Sequence, residues 1–263
     1  MHMNINDFQY MWRGKAIRPL LDQEAYLLLP IDIRRRDSGR ALLLLHGFSS
    51  SPAIYRELMP AFTLYDAVLC PVLPGHAHSI QSFAQATAIE WLDEAVQACQ
   101  TLVQRYDQVD VMGLSLGGLL ACKLGQEFTL HHLYLLAPAL KLHGFTGFLL
   151  AVARFLRYLG LKRIPNHAGN FHTKGHEELT YRQLPLSAIV EILSLVQNNQ
   201  FVMPSCPTDV FLGRHDEVVD SPAIAALFAN KPNTTIHWLE NSAHILPLDG
   251  DIQAIVECVE KNA

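Results

Sequence analysis

Six short apolar runs constrain this chain more than any other feature. They are Ala41–Gly47 (ALLLLHG), Ala67–His76, Val109–Ser115, His132–Leu140, Pro207–Asp216 and Thr234–His244. Each is about as long as a strand, and most end in glycine, proline or a polar cluster. Their apolar residues are near-continuous, as in strands buried on both faces. Helix-like stretches lie between them. In Ala88–Tyr106, residues Trp91, Leu92, Ala95, Val96, Cys99, Leu102 and Val103 recur at i, i+3, i+4 and i+7, which makes one amphipathic face. The final GDIQAIVECVEKNA sets Ile252, Ile255, Val256 and Val259 on one side. Buried strands alternating with helices predict an α/β fold, a mostly parallel sheet covered on both faces.

The alternation fails between about Leu140 and Met203. There FTGFLLAVARFLRYLGLK reads as a helix with Arg154 and Arg157 on a polar edge. A polar, His-rich stretch follows, carrying His167, His172 and His176, and then the amphipathic LSAIVEILSLVQNN. With no clear strand pattern, 140–203 is expected to be a helical cap inserted into a core made of 1–139 and 204–263. Its apolar residues Phe145, Phe148, Leu149, Leu150, Val152, Phe155, Leu156 and Leu159 admit two readings: a lipophilic lid over a pocket, or plain packing of the insertion onto the sheet. Arg154 and Arg157 read as a solvated face, or as contacts for an anionic group or a membrane.

Composition narrows the class. The 263 residues are 50% hydrophobic and 17% charged, enough to bury one large core. A formal net charge of −5 lacks the basic footprint of nucleic-acid binding. Cys70, Cys99, Cys122, Cys206 and Cys258 are scattered, odd in number and mostly in apolar surroundings. They read as reduced core residues, with neither a disulfide framework nor a zinc site. The opening residues show no signal-peptide pattern, and no run of about 18 apolar residues occurs. The expectation is a cytoplasmic protein without a transmembrane segment, with room for weak membrane contact.

In an open parallel sheet, ligands sit beyond the C-terminal ends of the strands. After Val109–Met112 comes Gly113-Leu114-Ser115-Leu116-Gly117, a G-x-S-x-G pattern. A strand that turns directly into a helix crowds the residues two before and two after the serine, so glycine fits there. The hydroxyl then projects from the corner, above a helix N-terminus that favours developing negative charge. By itself the pattern is also compatible with a plain glycine-rich turn. A serine nucleophile needs a base, and the base needs an orienting acid. His244, just past the last strand, is the candidate base. His237 lies inside that strand and is expected to pack, and His46 is expected to be structural. Asp216 follows the preceding strand and is the candidate acid, with the adjacent Glu217 as a substitute. Asp209 starts that strand, at the wrong end of the sheet, and Asp220 before Ser221-Pro222 reads as a helix cap. The backbone N–H groups of Leu116 and Phe48 are the candidate oxyanion donors. The HGFSSSP stretch also reads as a turn with Ser50 or Ser51 capping before Pro52.

The stretches LLLLHGFSSSP, PVLPGHAHS, VMGLSLGG, GRHDEVVD and NSAHILPLD resemble, in order, the motifs of the α/β-hydrolase superfamily. More narrowly, they resemble bacterial carboxylesterases and monoacylglycerol lipases. The resemblance implies an α/β-hydrolase fold with a small cap after the sixth strand. It assigns Ser115 as nucleophile, Asp216 as acid, His244 as base, and Phe48 and Leu116 as oxyanion donors. No cofactor or metal is expected; the His76/His78 pair has no further ligand at motif spacing. Two positions depart from the pattern: Ala77 stands where glycine is common and Leu116 where methionine is frequent. The cap is also longer than the shortest carboxylesterase caps. The expected reaction is hydrolysis of a small-molecule ester through an acyl-enzyme, the ester being a short- to medium-chain acyl ester or a monoacylglycerol. A thioesterase or carbon–carbon bond hydrolase would use the same three residues, and a non-catalytic binding protein would not need all three.

Overall fold

The computed structural model describes residues 3–262. The strands are β1 (Phe8–Trp12), β2 (Lys15–Pro19), β3 (Ile31–Arg34), β4 (Arg40–Leu45), β5 (Ala67–Cys70), β6 (Gln108–Leu114), β7 (His132–Leu136), β8 (Arg163–Pro165), β9 (Glu178–Tyr181), β10 (Gln183–Pro185), β11 (Thr208–Gly213) and β12 (Thr234–Leu239). The helices are α1 (Ile80–Gln85), α2 (Ala88–Val103), α3 (Leu116–Glu127), α4 (Thr146–Tyr158), α5 (Leu186–Gln197), α6 (Ser221–Phe228) and α7 (Ile252–Asn262). A seven-stranded sheet, in the order β12-β11-β7-β6-β4-β5-β3, forms the centre and is flanked by helices. Its pairs are parallel except β3 with β5.

The six apolar runs supply β4, β5, β6, β7, β11 and β12. Residues Ala41–Leu45 of β4 have no exposed surface, in keeping with a strand covered on both faces. The seventh strand, β3, has no continuous apolar run to reveal it. Its IDIR sequence alternates between half-buried and exposed positions, as an edge strand does. Helix α2 begins with a capping box in which Thr87 and Glu90 satisfy each other's backbone N–H groups. It buries Trp91, Ala95, Cys99 and Leu102. Asp220 caps α6 by accepting from the Ala223 N–H at 3.0 Å. Ser51 stands before the 3-10 turn Pro52–Tyr55, but neither Ser50 nor Ser51 caps it. Both hydroxyls are buried with no partner among the described residues.

The expectation of a purely helical 140–203 needs correction. Helices α4 and α5 form and pack together. The polar stretch between them holds three short strands. β8 pairs with β10, and β9 pairs antiparallel with β1, joining Phe8 to Tyr181 and Tyr10 to Leu179. These strands are three or four residues long, and β9 finds its partner at the other end of the chain. No local pattern records such a pairing. The β1–β2 hairpin was also hidden; it turns at Arg13 and Gly14, both at positive φ.

Neither reading of the apolar insertion residues holds for most of them. Leu150 is buried, but Phe145, Phe148, Leu149, Val152, Phe155 and Leu159 are exposed, Phe145 at 87%. No α4 residue lines the pocket that contains Ser115. The four cysteines Cys70, Cys99, Cys122 and Cys206 are buried, Cys258 is half-buried, and all five are free thiols. Among the described residues, no helix is long and apolar enough to cross a membrane.

Candidate active site

Ser115 occupies the junction of β6 and α3 with φ 54° and ψ −112°. A side chain other than glycine rarely adopts positive φ, and such strain persists only where the surroundings fix it. Here the Ser115 N–H donates to the Leu136 carbonyl at 2.9 Å. The Ser115 carbonyl accepts from Leu119 at 3.0 Å and Ala139 at 2.9 Å. The flanking glycines are steric necessities. A Cβ on Gly113 would collide with the Gly117 carbonyl, and one on Gly117 with the Leu45 carbonyl of β4.

His244 and Asp216 come from the loops after β12 and β11. The imidazole Nδ1 lies 2.8 Å from Asp216 Oδ2. A carboxylate only accepts, so Nδ1 carries the proton and Nε2 is left as the basic atom. The other Asp216 oxygen accepts the N–H groups of Val218 at 2.7 Å and Val219 at 2.8 Å, which fixes the carboxylate plane. Burial by itself depresses the basicity of His244 and is the largest influence. The attraction and hydrogen bond of Asp216, aided by Glu178, outweigh it, so the pKa is raised overall. Glu217 is exposed and turned elsewhere, against Arg13 at 3.3 Å and Asn170 at 3.1 Å. Of the two candidate acids, Asp216 is the one joined to His244.

Ser115 and His244 open onto one pocket of about 360 Å³. Phe48 borders it from the loop after β4, its ring 5.1 Å from Phe83 and 6.0 Å from Trp91. Leu116 is the first residue of α3. Among the described residues, neither the Phe48 nor the Leu116 N–H has a hydrogen-bond partner. The remaining wall is built by the 164–170 loop, Glu178 and Leu184, with Val218 and Ile245 beside the Asp216 and His244 loops.

Two pocket residues carry no sequence signal. Glu178 on β9 is 4% exposed. Burial pushes its carboxyl up to about 6, against the opposing pull of the Gly169 N–H and His244. The Gly169 bond measures 2.8 Å. Asn170 holds the His244 N–H and the Glu217 N–H on its side-chain oxygen, each at 3.1 Å, tying the base loop to the acid loop. Asn170 sits in the polar stretch before β9 and Glu178 is the first residue of that strand, and contacts set by the fold give them a role.

The remaining histidines separate by environment. His46 is fully buried, its Nε2 accepting the Leu73 N–H at 3.1 Å. Burial lowers its pKa to about 4 and keeps the ring neutral. His237, in the middle of β12, packs on Phe211 and bonds Asp209 at 2.6 Å; Asp209 is the second residue of β11, at the opposite end of that strand from Asp216. The Nδ1 atoms of His76 and His78 engage separate carbonyls, Pro74 at 3.2 Å and His76 at 3.0 Å, and do not converge. His167 lines the pocket, His172 stacks on His215 at 3.6 Å, and His176 stacks on Phe171.

Comparison with known proteins agrees with this architecture. A thermostable monoacylglycerol lipase of Bacillus sp. is 25% identical over 226 residues, covering 82% of this chain and 87% of the relative. A carboxylesterase of Bacillus subtilis is 23% identical over 244 residues, covering 86% and 94%. A solved structure from work on LipS and LipT, two metagenome-derived lipolytic enzymes, superposes with a TM-score of 0.78 at 28% identity. It covers 89% of this chain and 98% of its own. The profile of the alpha/beta hydrolase family matches residues 42–257, and the chain belongs to that family.

Proposed function

We propose that Ser115, His244 and Asp216 are the nucleophile, base and acid of acyl transfer in this protein. The protein is a carboxylic ester hydrolase. The observation that carries the residue roles is the strained Ser115 corner sharing one pocket with a His244 whose Nδ1–H is held by Asp216. In the proposed reaction, His244 Nε2 removes the Ser115 proton as the hydroxyl oxygen attacks the ester carbonyl. The oxyanion is received by the N–H groups of Phe48 and Leu116. His244 then protonates the departing alcohol, leaving an acyl-Ser115. A water, deprotonated by the same nitrogen, attacks the acyl carbon; as the acyl–oxygen bond breaks, His244 returns that proton to Ser115 Oγ and the acid leaves. Asp216 orients the imidazole ring and stabilises the imidazolium.

The substrate we assign is a short- to medium-chain acyl ester or a monoacylglycerol. The apolar wall of Phe48, Leu114, Ile164, Leu184, Val218 and Ile245 suits an acyl chain. The curated relatives are named for monoacylglycerol and carboxylic ester hydrolysis. Residues 140–203 act as a cap on the core of 1–139 and 204–263, since the 164–170 loop, Glu178 and Leu184 close one side of the pocket. The exposed apolar face of α4, with exposed Arg154 and Arg157, makes weak contact with lipid surfaces. Five free thiols support a reducing compartment, the cytoplasm.

A p-nitrophenyl ester series of rising chain length, run beside monoacylglycerols and acyl thioesters, tests the substrate. Turnover should be highest on oxygen esters, and a preference for thioesters would replace this assignment. Fluorophosphonate labelling tests the residue. Wild type should label at Ser115, and Ser115→Ala should lose labelling and at least about 10³-fold in kcat. Labelling that survives the substitution would remove Ser115 from the role.

A further inference from the structure

We propose that Asp209, His237 and Cys258 form a binding site for a divalent cation of the zinc class, at the end of the sheet away from Ser115. Asp209 is the second residue of β11, whereas Asp216 follows the other end of the same strand. His237 is on the neighbouring β12 and Cys258 on α7. One ligand atom from each of the three lies within 4.8 Å of the others. Cys258 Sγ is 4.0 Å from His237 Nε2, and that nitrogen is 2.6 Å from Asp209 Oδ1. A cavity of about 480 Å³, bordered by all three residues, gives access from solvent.

The donor set and its surroundings fit this chemistry. Carboxylate oxygen, imidazole nitrogen and thiolate sulfur together suit a borderline ion and disfavour calcium or magnesium, which take oxygen ligands. Tetrahedral zinc, with bonds of about 2.0–2.3 Å, places its ligand atoms roughly 3.3–3.7 Å apart. The sulfur–nitrogen separation is already near that value. The Asp209–His237 hydrogen bond must open by about 1 Å. The far oxygen is anchored by His132 Nε2 at 2.7 Å and Asn262 Nδ2 at 3.1 Å. Such outer contacts orient a ligating carboxylate. The His237 ring is held in place by stacking on Phe211, 4.5 Å between centroids. Binding releases the Cys258 thiol proton to solvent and moves the His237 proton from Nε2 to Nδ1; the fourth position is taken by water. Only long-range contacts assemble this group, and its members lie far apart in sequence, so no spacing motif announces it.

The test uses the full chain, stripped with a chelator, kept reduced and titrated with Co²⁺ and then Zn²⁺. One equivalent of Co²⁺ should produce a near-ultraviolet thiolate-to-cobalt band with visible bands of a four-coordinate site, displaced by Zn²⁺. Saturating Zn²⁺ should raise Tm by roughly 5–10 °C. Cys258→Ser should abolish the thiolate band and weaken Zn²⁺ binding at least tenfold while ester turnover is retained. His172→Ala, which changes an exposed histidine outside the cluster, should bind as wild type does. Should Cys258→Ser fail to fold in chelator, His237→Gln is read by the same criteria. No thiolate band in the wild type, or a band that survives loss of Cys258, overturns the proposal.

Discussion

At the scale of single residues, the environment of each histidine decides what it can do. His244 and His46 are both buried, yet the two are driven in opposite directions because only His244 faces a carboxylate. A base must be neutral to work, so kcat/KM should rise with pH through an apparent pKa above the ordinary histidine value of about 6.5. Asp216→Asn removes the charge that raises it and presents an amide to Nδ1. The expected outcome is a kcat loss of roughly 10³–10⁴-fold, with the remaining activity titrating at lower pH; an unshifted profile in the variant would disconnect the two residues. His46 should act on stability. Its folded pKa of about 4 lies below the unfolded value, so the unfolded chain binds more protons and acid favours unfolding. The contribution is intact above about pH 6.5 and is lost as pH falls toward 4, amounting to ~3 kcal/mol in full. Urea titrations at pH 7.5 and 5 should show a smaller loss for His46→Gln than for wild type. Ser115 was legible because its constraint is local: glycines two residues either side are forced by one turn. Glu178 and Asn170 were not, because Asn170's partners Glu217 and His244 lie 47 and 74 residues away and the place of both residues in the pocket wall is set by the fold.

At the scale of elements, legibility followed burial. Strands covered on both faces write long apolar runs, so β4, β6, β7 and β11 are readable from sequence. The edge strand β3 and the short β8, β9 and β10 write none. Helix α4 shows the converse limit. Its periodicity announced a helix, but periodicity cannot say whether an apolar face meets protein, ligand or solvent. In the fold its aromatic residues Phe148 and Phe155 are exposed, at 69% and 59%, while Leu150 and Ala153 face α5 and the core. A contiguous apolar surface of this kind beside arginines suits an interface with lipid. Phe148→Ser with Phe155→Ser should reduce co-sedimentation with anionic vesicles several-fold and lower activity on dispersed monoacylglycerol. Turnover of a soluble p-nitrophenyl ester should stay within about twofold, because no α4 residue lines the pocket. Equal losses on both substrates would place the effect in the pocket and not at the surface.

At the scale of the whole molecule, the chain closes on itself through β1 and β9, and this pairing joins the first strand to one that carries a residue of the pocket wall. Phe8 is buried, and its ring lies 4.4 Å from that of Tyr181. Tyr181 in turn stacks on Phe83 at 4.9 Å and donates its hydroxyl hydrogen to the Gly75 carbonyl at 2.8 Å. Phe83 touches Phe48, which lines the same pocket as Ser115. One continuous aromatic file therefore runs from the first strand to the proposed oxyanion loop, and the same β9 carries Glu178 into the pocket wall. Phe8→Leu keeps an apolar side chain but removes the ring contact, at a cost of about 1 kcal/mol. If that contact sets where β9 sits, its loss is felt beyond stability. The expected result is a Tm lowered by a few degrees together with a several-fold fall in kcat/KM on esters, measured well below the melting transition. Ile17 on β2 is exposed, so Ile17→Ala should change neither quantity appreciably. If Phe8→Leu lowers Tm while kcat/KM stays at the wild-type value, the β1–β9 pairing braces the fold without positioning the pocket.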